Sequence, residues 1–437
     1  MKHLRYVSCI LAVLFCFVLF TTSCAPADAA GTPSGTPAAS QSSGKDEIPS
    51  SVKIGIVNPT TGALAGFGEG TPWTENLIVD YVNNELGGIY FEDYDATLPI
   101  EIVVYDSQST STNASQMAQK LAEEDRVDIL LAHHTPETVN PVCAVAERYG
   151  IPCISMDEPI DVWLNEGPYE WTYHAHWIMS DLYDLYLSMW EEAGFPAGSG
   201  AKVGFLFPSD ADGNMFRAYF NEHLPEDGYT VVDPGQFPAG TTDYTDIVNR
   251  FAQEGVNIVV GANSTPDYGS FWLQAQQLGF TPDIVTMAKA CLLKADAESI
   301  GAELVDGTCY EVWWSVDRTY TSALTGADPQ SLAALYEADT GRPITPPMAV
   351  KYASMELAVA ALQNAGSLDP EAIRDSLASL DLDTVMGHIK YNEDRYSVIA
   401  LTGGQWQLQE DGDLVQAIID NDLYPDVPLT GEMEPLK

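Results

Sequence analysis

Several polar residues with useful chemistry stand just after short apolar runs. His133-His134-Thr135 follows Ile129-Leu130-Leu131, and Asp157-Glu158 follows Ile151 to Ile154. Asp212, Asn263-Ser264 and Lys289 follow further runs of the same kind. An enclosed carboxylate is costly to desolvate unless it is paired. Asp157, Glu158 and Asp212 together would therefore receive a cationic ligand, with Phe67, Trp73, Trp177, Trp313 or Trp314 offering cation–π faces. The plainer alternative is that Asp157 or Glu158 caps the next helix or points to solvent. Lys289 either meets a ligand carboxylate, neutralises Asp157 or lies on the surface. His133 and His134 are adjacent on a turn and rarely would point the same way. No H-x-H or H-E-x-x-H pattern supports a metal there; His174 and His176 do share that spacing on one face of a strand, where a metal is the lesser reading. An imidazole of His133, His134 or His176 touching a ligand is the better expectation. No serine stands in a G-x-S-x-G elbow, no cysteine has a partner pattern, and neither enzyme activity nor a cofactor is expected.

The elements that must position these residues are legible as strand, turn and helix. From Val127 to Pro159 the chain reads as a buried strand, a polar turn, a helix on Val139, Val142, Cys143, Val145 and Ala146, and a second strand. Gly150 and Pro152 stop the helix. Both polar turns then lie at the carboxyl ends of neighbouring parallel strands, the edge where open α/β sheets bind ligands. A second copy follows: Val256 to Gly261 echoes Val127 to Ala132, and Gly279 echoes Gly150 at the same interval. Ala201-Lys202-Val203-Gly204 likewise echoes Val52-Lys53-Ile54-Gly55. The pattern predicts two similarly built α/β lobes with a ligand between them. Tyr169 to Trp177 is expected to cross towards the second lobe. Met348 to Asn364 is expected to be an amphipathic helix. Ile389–Tyr391 and Trp406–Leu408 are expected to form a hairpin.

The chain has 437 residues, 46% of them hydrophobic, and a formal charge of −44. That length accommodates two domains, and that charge repels nucleic acid. Lys2, Arg5 and the apolar run from Ile10 to Phe20 form a targeting segment too short to span a bilayer comfortably. Small residues then precede Cys24, which resembles a bacterial lipoprotein signal with Cys24 lipidated. Residues 25 to 50 are rich in Pro, Ala, Gly, Ser and Thr and read as a flexible stalk. Cys143–Cys153 and Cys291–Cys309 are either local disulfides or buried free thiols.

Four landmarks together resemble the solute-binding proteins of ABC importers, of the leucine/isoleucine/valine-binding type. They are VKIGIVNPTTGALAGFGEG, the stretch ending GIPCIS, FPAGTTDYTDIV, and VNIVVGANS with LQAQQLGF. The resemblance implies a type I periplasmic binding protein fold, with two Rossmann-like lobes, three crossovers and a ligand enclosed by closure. It implies that Phe67 lines the pocket and that a carboxylate-holding turn falls on Thr135 to Thr138, with Pro136 where a serine is usual. The next such turn falls on Asp157-Glu158-Pro159, a tyrosine position falls on Asp212, and an ammonium-binding acid falls near Asp243. Expected boundaries are a signal peptide at 1–23, a tether at 24–50, one lobe from 51–177 and 311–390, and the other from 178–310 and 391–437. The implied protein is a monomer, anchored outside the membrane through Cys24, that passes a small polar solute to an ABC permease. A surface sensor on the same fold and an exported metal-dependent hydrolase are the competing readings.

Overall fold

The short apolar runs become strands in the computed structural model, which describes residues 48–436. They are β1 (Val52–Asn58), β2 (Ile89–Phe91), β3 (Ala96–Leu98), β4 (Ile100–Asp106), β5 (Ile129–His133), β6 (Cys153–Met156) and β7 (Thr172–His176). Then come β8 (Lys202–Leu206), β9 (Thr230–Val232), β10 (Ile258–Ala262), β11 (Ile284–Ala288) and β12 (Cys309–Val312). The last five are β13 (Asp381–Thr384), β14 (Gly387–Lys390), β15 (Tyr396–Val398), β16 (Thr402–Leu408) and β17 (Leu414–Asp420).

One sheet has the order β15-β7-β6-β5-β1-β4, all parallel. The other has the order β17-β16-β12-β11-β10-β8-β9, parallel from β9 to β12 and antiparallel through β16 and β17. Every residue of β5, β6, β10 and β11 is buried, as continuous apolar strands covered by helices on both faces must be. The helices Pro136–Tyr149 and Thr265–Leu278 repeat one design. Each has proline in its first turn and ends on a left-handed glycine, Gly150 or Gly279.

The chain passes between the sheets three times: after β7, after β12, and between β15 and β16. Arg318 ties two of these crossings together. Its Nη2 donates to the Val312 carbonyl at 2.8 Å and to the Ala400 carbonyl at 3.1 Å.

Several expectations need correction. β7 stands inside the first sheet before the crossing begins. The strand Cys309–Val312, cut by the expected boundary at 310, lies wholly in the second sheet, and β15 pairs in the first. The expected hairpin is two: β14 pairs with β13, and β16 with β17. Short alternating strands do not carry their partner in their own sequence, so register there was decided by the neighbouring sheet. The helix Pro346–Ala365 is buried on nearly every face, Lys351 and Glu356 included, rather than amphipathic. Cys143, Cys153, Cys291 and Cys309 are free and buried. The expected signal peptide, Cys24 and nearly all of the tether lie outside the described residues. Among those described, no helix is long and apolar enough to cross a membrane.

Gly213 shows how tightly the second lobe holds the turn that carries Asp212. A Cβ there would lie 2.0 Å from the Pro208 carbonyl oxygen. Gly213→Ala should lower stability by about 1–3 kcal/mol, read as a fall in the urea midpoint at unchanged slope.

Candidate ligand-binding site

The carboxyl ends of both sheets face one cavity of about 50 Å³. Past β5 and β6 the backbones keep pairing, Thr135 N–H to the Asp157 carbonyl at 2.9 Å. There the chain turns left-handed at three residues that are not glycine: His134 (φ 65°), Thr135 (φ 68°) and Asp157 (φ 68°). The second sheet does the same after β11, at Lys289 (φ 71°). Side chains rarely adopt this conformation, and it persists where the surroundings over-determine it, often at functional sites.

Asp157 is buried. His134 Nδ1 donates to its Oδ2 at 2.5 Å. His176 Nε2 stands 3.1 Å from its Oδ1, though off the line a hydrogen bond needs. Burial alone would push the carboxyl pKa up, but the His134 bond and then His176 hold it well below the usual carboxylate range. Burial, and Lys351 after it, push His134 down to about 4 against the pull of Asp157. At neutral pH His134 is thus an uncharged donor, and the bond brings no neutralising charge to Asp157. Lys351 donates to the Phe67 carbonyl at 2.6 Å, and burial brings its own pKa down to about 8, opposed first by Glu75.

The opposite wall carries its own ion pair. Lys289 Nζ donates to Asp212 Oδ2 at 2.8 Å. Burial would depress the lysine, yet Asp212, Glu137 and Asp210 raise it above its usual range. Glu137 belongs to the first lobe. Burial would raise its carboxyl, and Lys289 together with hydrogen bonding from Thr135 and its own backbone lowers it. Attraction between Glu137 and Lys289 therefore spans the cleft. Glu311, beside them, accepts from the Tyr186 hydroxyl at 2.7 Å, and burial raises it to about 7.

Of the residues expected at a ligand, Phe67, Thr135, Asp157, His176, Trp177, Asp212, Lys289 and Trp313 line the cavity. Six others do not. Trp73 donates to Asp339 Oδ2 at 3.0 Å and packs edge-on against Tyr336. His133 lies between Asn58 Oδ1 (3.0 Å) and Ser354 Oγ (2.6 Å). His134 sits behind Asp157. Glu158 accepts from Asn140 at 2.8 Å, with burial pushing its pKa well up. Asn263 donates to the Leu206 carbonyl, and Ser264 to Asp267. Trp314 donates to the Val385 carbonyl. Lys289 neutralises Asp212, not Asp157. Asp243 caps the Thr245 backbone and is exposed. His174, expected beside His176, is held by Ser155 Oγ and the Glu158 carbonyl, and burial lowers it to about 3. No group of three or more His, Cys, Asp or Glu residues placed to hold a metal occurs among the described residues.

Sequence reasoning missed Phe216, Ala262, Ala288, Leu292 and Glu311 as lining residues. Only Glu311 left a signal, as a lone acid in the apolar run Cys309 to Trp314. The walls are aromatic: Trp177 meets Phe216 edge-on at 6.0 Å, and His176 meets Trp313 at 5.5 Å. Thr135 Oγ1, both His176 ring nitrogens and Asp212 Oδ1 are buried cavity-lining atoms without a hydrogen-bond partner. Most of these are acceptors, or can be, so the cavity is suited to a ligand rich in N–H donors.

Residues 51–404 match the sequence model of a family described as periplasmic binding protein. The chain is 24% identical over 388 residues to Leu/Ile/Val-binding protein homolog 8 of Brucella abortus (strain 2308), covering 85% of this chain and 91% of that one. It is 22% identical over 396 residues to homolog 7 of Brucella suis, covering 87% and 93%. Similar solved structures include the leucine binding protein LivK of Thermotoga maritima, with 18% identity, TM-score 0.69 and coverage of 84% and 97%. Another is LivJ of Streptococcus pneumoniae in complex with isoleucine, with 20% identity, TM-score 0.68 and coverage of 85% and 99%. A third is an ABC-transporter solute binding protein of Rhodopseudomonas palustris in complex with p-hydroxybenzoic acid, with 16% identity, TM-score 0.68 and coverage of 85% and 96%.

The burial of His134 makes a pH prediction. Folding lowers this imidazole from 6.5 to about 4. Between those values the unfolded chain binds the extra proton, so the stabilisation is complete above pH 6.5 and is lost as pH falls towards 4. His134→Gln keeps a donor but does not titrate. Wild-type stability should fall relative to this variant by about 1.4 kcal/mol per pH unit across that window, measured by urea unfolding at pH 7, 6 and 5.

Proposed function

The chain belongs to the periplasmic binding protein family, and from that premise we propose that it is the extracytoplasmic solute-binding component of an ABC importer for a small amine-bearing solute. One observation carries the choice of solute. Asp157 is an ionised, buried carboxylate whose hydrogen-bond donor is uncharged, among the aromatic faces of Phe67, Trp177 and Trp313. An ammonium group would place a positive charge in direct contact with this carboxylate and gain cation–π contacts at the same point.

An amino acid's carboxylate finds less support. Pro136 has no N–H to offer at the start of its helix, and Glu137 places a carboxylate in that same first turn. Lys289, the cavity's cation, already serves Asp212 and Glu137. Binding contacts from both lobes would shift an open–closed equilibrium towards closed, and a permease would read the closed form. Lys2, Arg5, the apolar run after them and Cys24 support an anchor through lipid on Cys24, outside the cytoplasmic membrane. A second reading has one observation in its favour. Lys289 lines an aromatic-walled cavity, and a structural relative was solved with p-hydroxybenzoic acid, so an aromatic acid paired to Lys289 is the alternative.

A thermal-shift screen over amines, amides, amino acids and aromatic acids separates the two, because a ligand of the folded state raises the melting temperature by mass action. Amines should stabilise. Asp157→Asn should weaken the best amine by about 100-fold, as loss of a buried charge partner costs about 2–5 kcal/mol. Stabilisation by aromatic acids alone, unchanged in Asp157→Asn, would sink the amine reading and favour Lys289.

A further inference from the structure

Leu292 lines the cavity on one side and a much larger groove, of about 700 Å³, on the other. The groove also lies between the lobes. Gly66 and Glu69 border it from the first, and Leu293 and Asp296 from the second. A Cβ on Gly66 would lie 3.1 Å from Leu293 Cδ1 and 3.7 Å from Asp296 Oδ2, so the two walls nearly touch there.

The groove's two basic residues are already engaged. Arg342 pairs with Glu69, and Lys294 pairs with Asp413 at 2.6 Å. Asp296 is half-buried with no ion-pair partner among the described residues, and burial and then Glu69 raise its carboxyl to about 6. Two hydroxyls facing the groove are also unmet. Ser315, whose residue is only 5% exposed, has a buried Oγ without a hydrogen-bond partner, and Thr345 Oγ1 is in the same state. Buried polar atoms in native proteins are nearly always satisfied by protein, water or ligand. An acidic wall with spare acceptors, sharing Leu292 with the cavity, is complementary to a second cationic donor group.

We propose that cavity and groove are two ends of one site, and that the ligand is a linear oligoamine. One ammonium sits at Asp157, the chain passes Leu292, and a second ammonium sits in the groove against Asp296, within reach of the Ser315 and Thr345 hydroxyls. This rests on the amine reading of the cavity and extends it to the length and charge of the ligand.

Isothermal titration of the purified protein with butylamine, 1,4-diaminobutane, spermidine and spermine tests it. Affinity should rise by about fivefold or more at the first member long enough to reach the groove. A chain of net charge −44 attracts polycations everywhere, so two variants separate site from surface. Asp296→Asn should erase the gain, read as the ratio of monoamine to oligoamine Kd within the variant. Glu393→Gln removes one charge from an exposed position elsewhere and should keep it. A gain that both variants keep, or both lose alike, overturns the two-ended site. Oligoamines binding no tighter than butylamine overturn it too, and leave the amine reading standing. Absence of binding by every amine overturns both.

Discussion

A buried carboxylate held by an uncharged imidazole is the interaction on which the rest of this structure turns. Ionised Asp157 would not survive burial without donors, and a charged donor would have spent its attraction in advance. His134 gives the bond without the charge, because its own burial keeps it neutral. The cost appears in the backbone, where His134, Thr135 and Asp157 all take left-handed conformations to bring the two side chains together. Continued pairing of the β5 and β6 backbones past their strand ends, with the Thr135 N–H on the Asp157 carbonyl, holds that geometry.

The second lobe answers with the same device and the opposite sign. Lys289 leaves β11 as Asp157 leaves β6, also left-handed, and is at once surrounded by Asp212, Asp210 and, from the other lobe, Glu137. One wall therefore offers a carboxylate whose direct hydrogen-bond donor is uncharged, with the Lys351 ammonium acting on it from further off. The other offers a lysine already paired. Charge also crosses the cleft, since Glu137 and Lys289 belong to different lobes. Arg318, bonded to carbonyls of two crossings, ties those crossings to one buried guanidinium.

Family membership and ligand chemistry are set by different parts of the chain. The sheets, their order and the paired helices follow the relatives' architecture at low identity. The polar groups of the cavity come from the turns at the sheet ends, among them Thr135, Asp157 and Lys289. Fold is maintained by many interchangeable apolar contacts, whereas a site depends on a few atoms, so the second diverges without disturbing the first.

The sequence by itself determined the architecture. Buried parallel strands must be continuous apolar runs, their helices must show one apolar face, and glycine must stop them. These local rules, applied twice at the same interval, made two lobes and the edge that faces the ligand legible, together with Phe67, Asp157, Asp212 and Lys289 at that edge. Only the tertiary structure decided which polar residues look into the cleft and which look away. His133 and His134 are neighbours, yet one bonds Ser354, 221 residues distant, and the other braces Asp157. Trp73 turns to Asp339 for the same kind of reason, and Lys289 selects Asp212 over Asp157. Glu311, Phe216 and Leu292 enter the cavity only because remote strands and helices arrive there. A side chain's direction and its charge state depend on what packs against it in space, and that is written in no single stretch of the chain.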